Sequence, residues 1–180
     1  MNPGGPAALR LLLDEFAEGR KDLEAEVTAA ALGLEAADYE FADAVRLAGS
    51  VRRAIETFFV QVSASTRVRG QCCRCLTVAE APLEARLELL LQRRAATADE
   101  LEALAEDDQV EVLPPGTRLF DLTEAVRQAL VLELPVRLYC RADCRGLCPR
   151  CGRDRNRDEC GCAGDTADPR WEKLAGMKFA

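Results

Sequence analysis

Nine cysteines carry the most specific chemistry in this chain, and their spacing sorts them. Six lie in Cys140 to Cys162, reading CRADCRGLCPRCGRDRNRDECGC, and the other three cluster upstream as Cys72, Cys73 and Cys75. A tetrahedral zinc site takes four soft or imidazole ligands, and two closely spaced pairs supply them because each pair fits one tight turn. Cys148-x-x-Cys151 is such a pair, with Pro149 to stiffen it and Gly152 to let the chain turn back. Cys160-Gly161-Cys162 is the second. Cys148, Cys151, Cys160 and Cys162 are therefore assigned to one closed structural zinc site. Cys140 and Cys144, spaced like half of another, are paired with Cys72 and Cys75 as a second Cys₄ centre that joins distant segments. Cys73 is left over, packed as a small apolar residue or standing as an exposed thiol.

Other uses of these thiols fit less well. Disulfides need an oxidising compartment, and an odd cysteine count without a secretory signal argues against one. A redox Cys-x-x-Cys belongs beside a βαβ pattern, which the sequence lacks. An iron–sulfur centre is the competing metal reading, since Cys₄ also suits iron.

The elements that must position these ligands are mostly strands. Leu9 to Phe16 is a strand candidate, Gly19 to Lys21 breaks it, and Leu23 to Ala37 reads as a short helix or a loop. From Val45 a period of two sets in, with Val45, Leu47, Gly49 and Val51 opposing Arg46, Ala48, Ser50 and Arg52. The next strand alternates best: Phe58, Val60, Val62, Ala64, Thr66 and Val68 point one way. After Cys75 the alternation resumes at Leu83, Ala85, Leu87, Leu89 and Leu91. Two long strands around a cysteine-bearing connection predict an antiparallel hairpin with a metal knuckle at its tip.

Ala95 to Gln109 is acidic, shows helical spacing at Leu101 and Leu104, and is read as a mobile connection. Asp121 then starts a helix, with Glu124 completing a capping box and Leu122, Ala125, Val126, Ala129 and Leu130 forming one apolar stripe. Pro135 ends it. The expected fold is α+β: an antiparallel β-sheet or partly open barrel, one main packed helix over about 121–134, and Cys-rich zinc knuckles. Residues 1–139 form the β-rich domain, 140–163 a zinc-binding segment packed on it, and 164–180 a C-terminal tail.

Several of these motifs, in this order, resemble the YceD family. They are Cys-x-Arg-Cys-Leu at Cys72 to Leu76, the Asp121-Leu122 helix ending in Leu134-Pro135, and Cys144-x-Gly-Leu-Cys-Pro-x-Cys-Gly ending at Gly152. With Asn156 and Cys160-x-Cys162, the similarity runs from Val45 to Cys162 and extends to Asp168-Pro169-Arg170. The resemblance implies a bacterial or plastid protein needed for accumulation or processing of large-subunit (23S) ribosomal RNA, and supplies no enzymatic mechanism. Arg155 stands where the family often has an apolar residue, and Cys73 is additional to the paired pattern.

Composition narrows the function further. The 180 residues contain no histidine, which removes Ser-His-Asp, Cys-His and HExxH arrangements, and no P-loop or dinucleotide fingerprint appears. Two complete thiolate sets would close both metal sites to substrate. The chain is expected not to be an enzyme and to have no small-molecule substrate; a metal-dependent nuclease is the least implausible catalytic form. No apolar run approaches membrane-spanning length, so a cytoplasmic protein with no membrane partner is expected.

The net charge of −7 speaks against a broad phosphate-binding surface. Within Arg137 to Cys162, however, seven arginines face four acids, which offsets the negative charge of thiolates on a divalent ion. A protein partner is favoured, as a ribosomal protein, an assembly factor or a nuclease, because an acidic body suits a basic protein. The alternative is direct contact with rRNA through Arg67, Arg69, Arg74 and the arginines from Arg141 to Arg157, notably Arg153, Arg155 and Arg157. Trp171, the only tryptophan, either docks on its own domain or anchors a partner.

Overall fold

A computed structural model describes residues 6–104, 109–162 and 170 of the chain. Its centre is the pair β5 (Thr57–Gln71) and β6 (Val78–Arg93), antiparallel in continuous register from Thr57 opposite Gln92 to Gln71 opposite Val78. The alternation in the sequence is the cause. Phe58, Val60, Val62, Ala64, Thr66 and Val68 are all buried, while the residues between them face solvent.

β4 (Val45–Ala54) lies beside β5, and β2 (Gly19–Val27) pairs with β4 at the sheet's edge. β3 (Tyr39–Phe41) pairs with β5 beyond the end of β4, and β7 (Val110–Leu113) runs parallel to the far end of β6. The six-stranded sheet therefore runs β2-β4-β5-β6-β7 with β3 alongside β5; it is antiparallel except for β7 and does not close on itself. A short ribbon of β1 (Arg10–Leu12) and β8 (Leu119–Asp121) closes one end of the core.

α2 (Thr123–Leu132) packs across the sheet through Leu122, Val126 and Leu130, each at most 2% exposed. The capping box does not form as expected. Asp121 accepts the Thr123 amide at 2.9 Å, but the Glu124 carboxylate turns outward to Arg127 and Gln128. The helix also ends at Leu132, two residues before the expected stop.

Two early expectations are corrected, and the helical spacing at Leu101 and Leu104 is borne out. Gly19 to Lys21 opens β2 instead of breaking a strand, and Leu23, Ala25 and Val27 form its inner face. Pairing with β4 overrides the weak strand preference of an Ala/Glu-rich segment. Within Leu9 to Phe16 only Arg10–Leu12 is extended, flanked by single 3₁₀ turns. Ala95 to Gln109 contains α1 (Ala98–Leu104), whose first turn is held by a capping box: the Glu100 amide reaches Thr97 Oγ1 and the Thr97 amide reaches the Glu100 carboxylate. Among the described residues no helix is long and apolar enough to cross a membrane.

Candidate metal centres

The tip of the β5–β6 hairpin is a six-residue knuckle from Cys72 to Thr77. Its ends are tied by the Cys72 amide on the Thr77 carbonyl at 2.8 Å, and the Leu76 amide returns to the Cys72 carbonyl at 2.9 Å. These closures turn Cys72 and Cys75 inward, both buried, and leave Cys73 exposed. Of the two fates open to Cys73, the exposed thiol is the one observed.

Beyond α2 the chain returns to this tip. Tyr39 on β3 donates its hydroxyl to the Pro135 carbonyl at 2.5 Å, and the Cys73 amide donates to the Leu138 carbonyl at 2.9 Å. Leu138 fills the space beneath with Ala79, forming a small cluster with Cys72, Cys75 and Cys144 that is separate from the main core. The returning segment thus delivers Cys140 and Cys144 beside Cys72 and Cys75. The sulfurs of Cys72 and Cys144 are 3.8 Å apart, and those of Cys75 and Cys140 are 3.6 Å apart.

Those separations test the fit to a metal. Four sulfurs at about 2.3 Å from one ion lie roughly 3.8 Å apart along each tetrahedral edge. A disulfide would need about 2.05 Å. All four sulfurs lie within 4.8 Å of one another, and Cys148, Cys151, Cys160 and Cys162 meet the same condition. The first centre's 3.6 and 3.8 Å separations match the edges of such a tetrahedron. Both sets of residues fit a tetrahedral thiolate-bound metal.

The second centre is built on the same pattern. The Gly152 amide returns to the Cys148 carbonyl at 2.9 Å, and the Cys148 amide reaches the Arg153 carbonyl at 2.8 Å. Cys148 is buried, Cys160 half-buried, and Cys151 and Cys162 exposed, so this centre lies nearer solvent.

Local electrostatics prepare the sulfurs unequally. Burial opposes ionisation of Cys72, yet backbone amides of Cys140, Arg74 and Cys75 outweigh it and bring its pKa down to about 6. The Cys151 and Arg150 amides hold Cys148 at about 6 as well. The Thr77 hydroxyl, 3.0 Å from Cys75 Sγ, lowers that thiol. Conversely, burial and then the Cys75, Cys144 and Cys72 sulfurs push Cys140 up to about 12, and the Cys151, Cys148 and Cys160 sulfurs do the same to Cys162. Crowded sulfurs of this kind ionise together only around a cation.

Arg74 binds the first centre's halves together. Its guanidinium donates to the Ala142 and Cys144 carbonyls at 3.3 and 3.0 Å and lies 4.6 Å from the Tyr139 ring centre. Its carbonyl accepts the Leu147 amide at 3.0 Å. Gly146 passes so close that a Cβ there would sit 2.9 Å from the same carbonyl oxygen, so a glycine is required. Arg67 and Arg69 are tied to Glu80. Arg153 and Arg155 are exposed and form no ion pair among the described residues, whereas Arg157 sits 3.7 Å from Asp154. Trp171 lies outside the described residues. Tyr39, Thr77 and Tyr139 carry no motif of their own, and only their contacts identify them as supports of the first centre.

Comparisons with known proteins place this geometry in context. A family model described as large ribosomal RNA subunit accumulation protein YceD matches residues 60–178, taking in both cysteine sets. An uncharacterized protein of Mycobacterium tuberculosis is 37% identical over 109 residues, covering 60% of this chain and 49% of that protein. An uncharacterized protein of Mycobacterium leprae is 31% identical over 148 residues, covering 82% of this chain and 65% of its own length. A chloroplastic protein of Arabidopsis thaliana, named a large ribosomal RNA subunit accumulation protein YCED homolog, is 26% identical over 65 residues, 36% of this chain and 20% of that one. The chain thus spans about half the length of the Mycobacterium tuberculosis relative. No solved structure gives a significant match.

Proposed function

The chain belongs to the YceD family, whose role lies in accumulation of large-subunit ribosomal RNA, and from that premise we propose that it is a non-enzymatic, zinc-binding factor for 23S rRNA processing and large-subunit biogenesis. The observation that carries this reading is the family match extending over two complete Cys₄ sets. Zinc is favoured over iron because a closed, all-thiolate tetrahedron is its usual structural site. Bound there, the metal supplies a fold constraint: the first centre fastens the hairpin tip to the segment leaving α2.

The chain acts in the cytoplasm by docking on a ribosomal protein, an assembly factor or a nuclease, and so protects precursor RNA. Its charge of −7 favours encounter with a basic protein surface. Metal analysis of purified protein together with 23S rRNA levels in cells depleted of it tests the core of this reading. Stoichiometric zinc and a fall in mature 23S rRNA are expected; absence of zinc, or unchanged rRNA, overturns it.

Direct contact with rRNA is the second reading, favoured by Arg145, Arg150, Arg153 and Arg155, which are exposed and without ion pairs among the described residues. Salt-dependent binding to rRNA fragments, abolished by charge reversal at Arg153, Arg155 and Arg157, would place it first.

A further inference from the structure

The two Cys-x-x-Cys knuckles share a backbone plan and differ in two residues, Cys73 against Pro149 and Leu76 against Gly152. In both, the amide just past the second cysteine bonds back to the first cysteine's carbonyl, and that closure needs a left-handed backbone, with φ of 61° at Leu76 and 72° at Gly152. Glycine adopts it freely; a leucine Cβ crowds the following carbonyl. Burial does not offset the strain, since Leu76 is 58% exposed.

Leu76 borders a groove of about 720 Å³ lined also by Val78 and Val136, which are 68% and 95% exposed, with Tyr39 and Gly70 beneath. Three aliphatic side chains turned to solvent around one depression mark an interaction surface. The same lining carries Asp38 and Glu40, both exposed and in no ion pair among the described residues; its one cation, Arg69, stands opposite Glu40 across the strand pair but is bonded to Glu80 at 2.7 Å. The free charge around the groove is therefore negative.

We infer that this groove docks an extended basic segment of a protein, with Leu76 packing on an aliphatic or aromatic side chain and Asp38 and Glu40 meeting flanking Lys or Arg. The inference rests on the proposed function and specifies the chemistry of its protein partner. RNA is disfavoured here because its phosphates would face the same two carboxylates.

Leu76→Gly tests this cleanly, because it removes the anchor while giving the knuckle the residue its twin already has. The zinc-loaded full chain is titrated, by fluorescence anisotropy, into labelled nonapeptides that carry one aliphatic or aromatic residue between Lys/Arg pairs. Controls replace that residue by Ser, or each cation by Glu. Binding of the basic apolar peptides alone is expected, weakened about tenfold or more by Leu76→Gly and by Asp38→Lys with Glu40→Lys, at unchanged zinc content. No preference over the controls, or equal binding by Leu76→Gly, overturns the groove. So does a Leu76-dependent dimer or Leu76-dependent binding of an RNA oligonucleotide.

Cellular 23S rRNA separates the two claims. If Cys148→Ser lowers it and Leu76→Gly does not, the groove fails and the function stands. If neither lowers it, the function fails, and the peptide titration still decides the groove.

Discussion

Asn156 donates a side-chain N–H to the sulfur of Cys144 across 3.4 Å, so a residue of the second cysteine loop touches a candidate ligand of the first centre. Its carbonyl oxygen accepts the Arg145 amide at 2.7 Å and the Arg141 guanidinium at 2.8 Å. The turn from Cys144 to Cys148 offers one sulfur to each centre, and Asn156 clamps its start. Metal at the second centre would therefore orient an outer contact of the first.

Asn156→Ala is expected to weaken metal binding at the first centre by about 10–100-fold, as loss of an outer-shell partner does. Competition against a chromophoric chelator measures it directly. A single tightly held ion beside a weakened one is expected, and two unchanged affinities would show that the centres are independent.

The sulfur lobe and the main core are separate clusters, joined through the β5–β6 hairpin. Chelation under reducing conditions is therefore expected to melt the lobe first. Hydrogen exchange should accelerate at the Cys73, Leu147 and Cys148 amides, whose partners come from segments that the centres hold together. The central strand, with Val60 at 1% exposed, should stay protected. Simultaneous loss of protection in both would mean that metal binding and global folding are one transition.

Only signals local in the sequence make this fold legible from it. The β5 alternation and the cysteine spacings are periodic or close in sequence, and they located the central hairpin and its knuckle. β2 carries no such signal, because an edge strand rich in Ala and Glu owes its conformation to pairing with β4. The role of Asn156 was also hidden. The resemblance flagged the residue, but no spacing rule says that its amide reaches a sulfur twelve positions earlier.

The β4–β5 connection shows the same limit and yields a prediction. Ala54 pairs with Thr57, so Ile55 and Glu56 form the whole turn, without the Gly or Asn that such hairpins favour. Ile55 takes a left-handed φ of 55° although it is β-branched and 74% exposed. Neighbours hold it there: the Arg53 guanidinium donates to the Ile55 carbonyl at 2.8 Å, and the Arg93 amide donates to that of Glu56 at 2.9 Å. Ile55→Gly should relieve the strain and stabilise the fold by about 1 kcal/mol, part of the relief being offset by the greater freedom of glycine when unfolded. Urea unfolding checks the sign. Destabilisation would mean that the Ile55 side chain makes contacts worth more than the strain.

Arg93 gathers two acids at the end of the sheet. Its guanidinium, 9% exposed, bonds Asp14 at 2.6 Å and also Glu56. Hydrogen bonds from Arg93 are the largest cause holding both carboxyls below their ordinary values of 3.8 and 4.5, with Arg118 assisting at Asp14 and Arg53 at Glu56. A carboxyl whose folded pKa is depressed adds stability above its unfolded pKa and loses it as pH falls through the folded one. The cluster should thus support the fold fully above about pH 5 and fade below the ordinary values. Arg93→Met keeps the apolar stem and removes the charge. The variant is expected to be less stable than the parent at neutral pH, with the gap narrowing as pH drops from about 5 towards 2. Proton-driven loss of thiolate-bound metal occurs in both proteins and cancels in the difference. Urea midpoints across that range measure the gap, and a constant gap would mean that Arg93 contributes through packing alone.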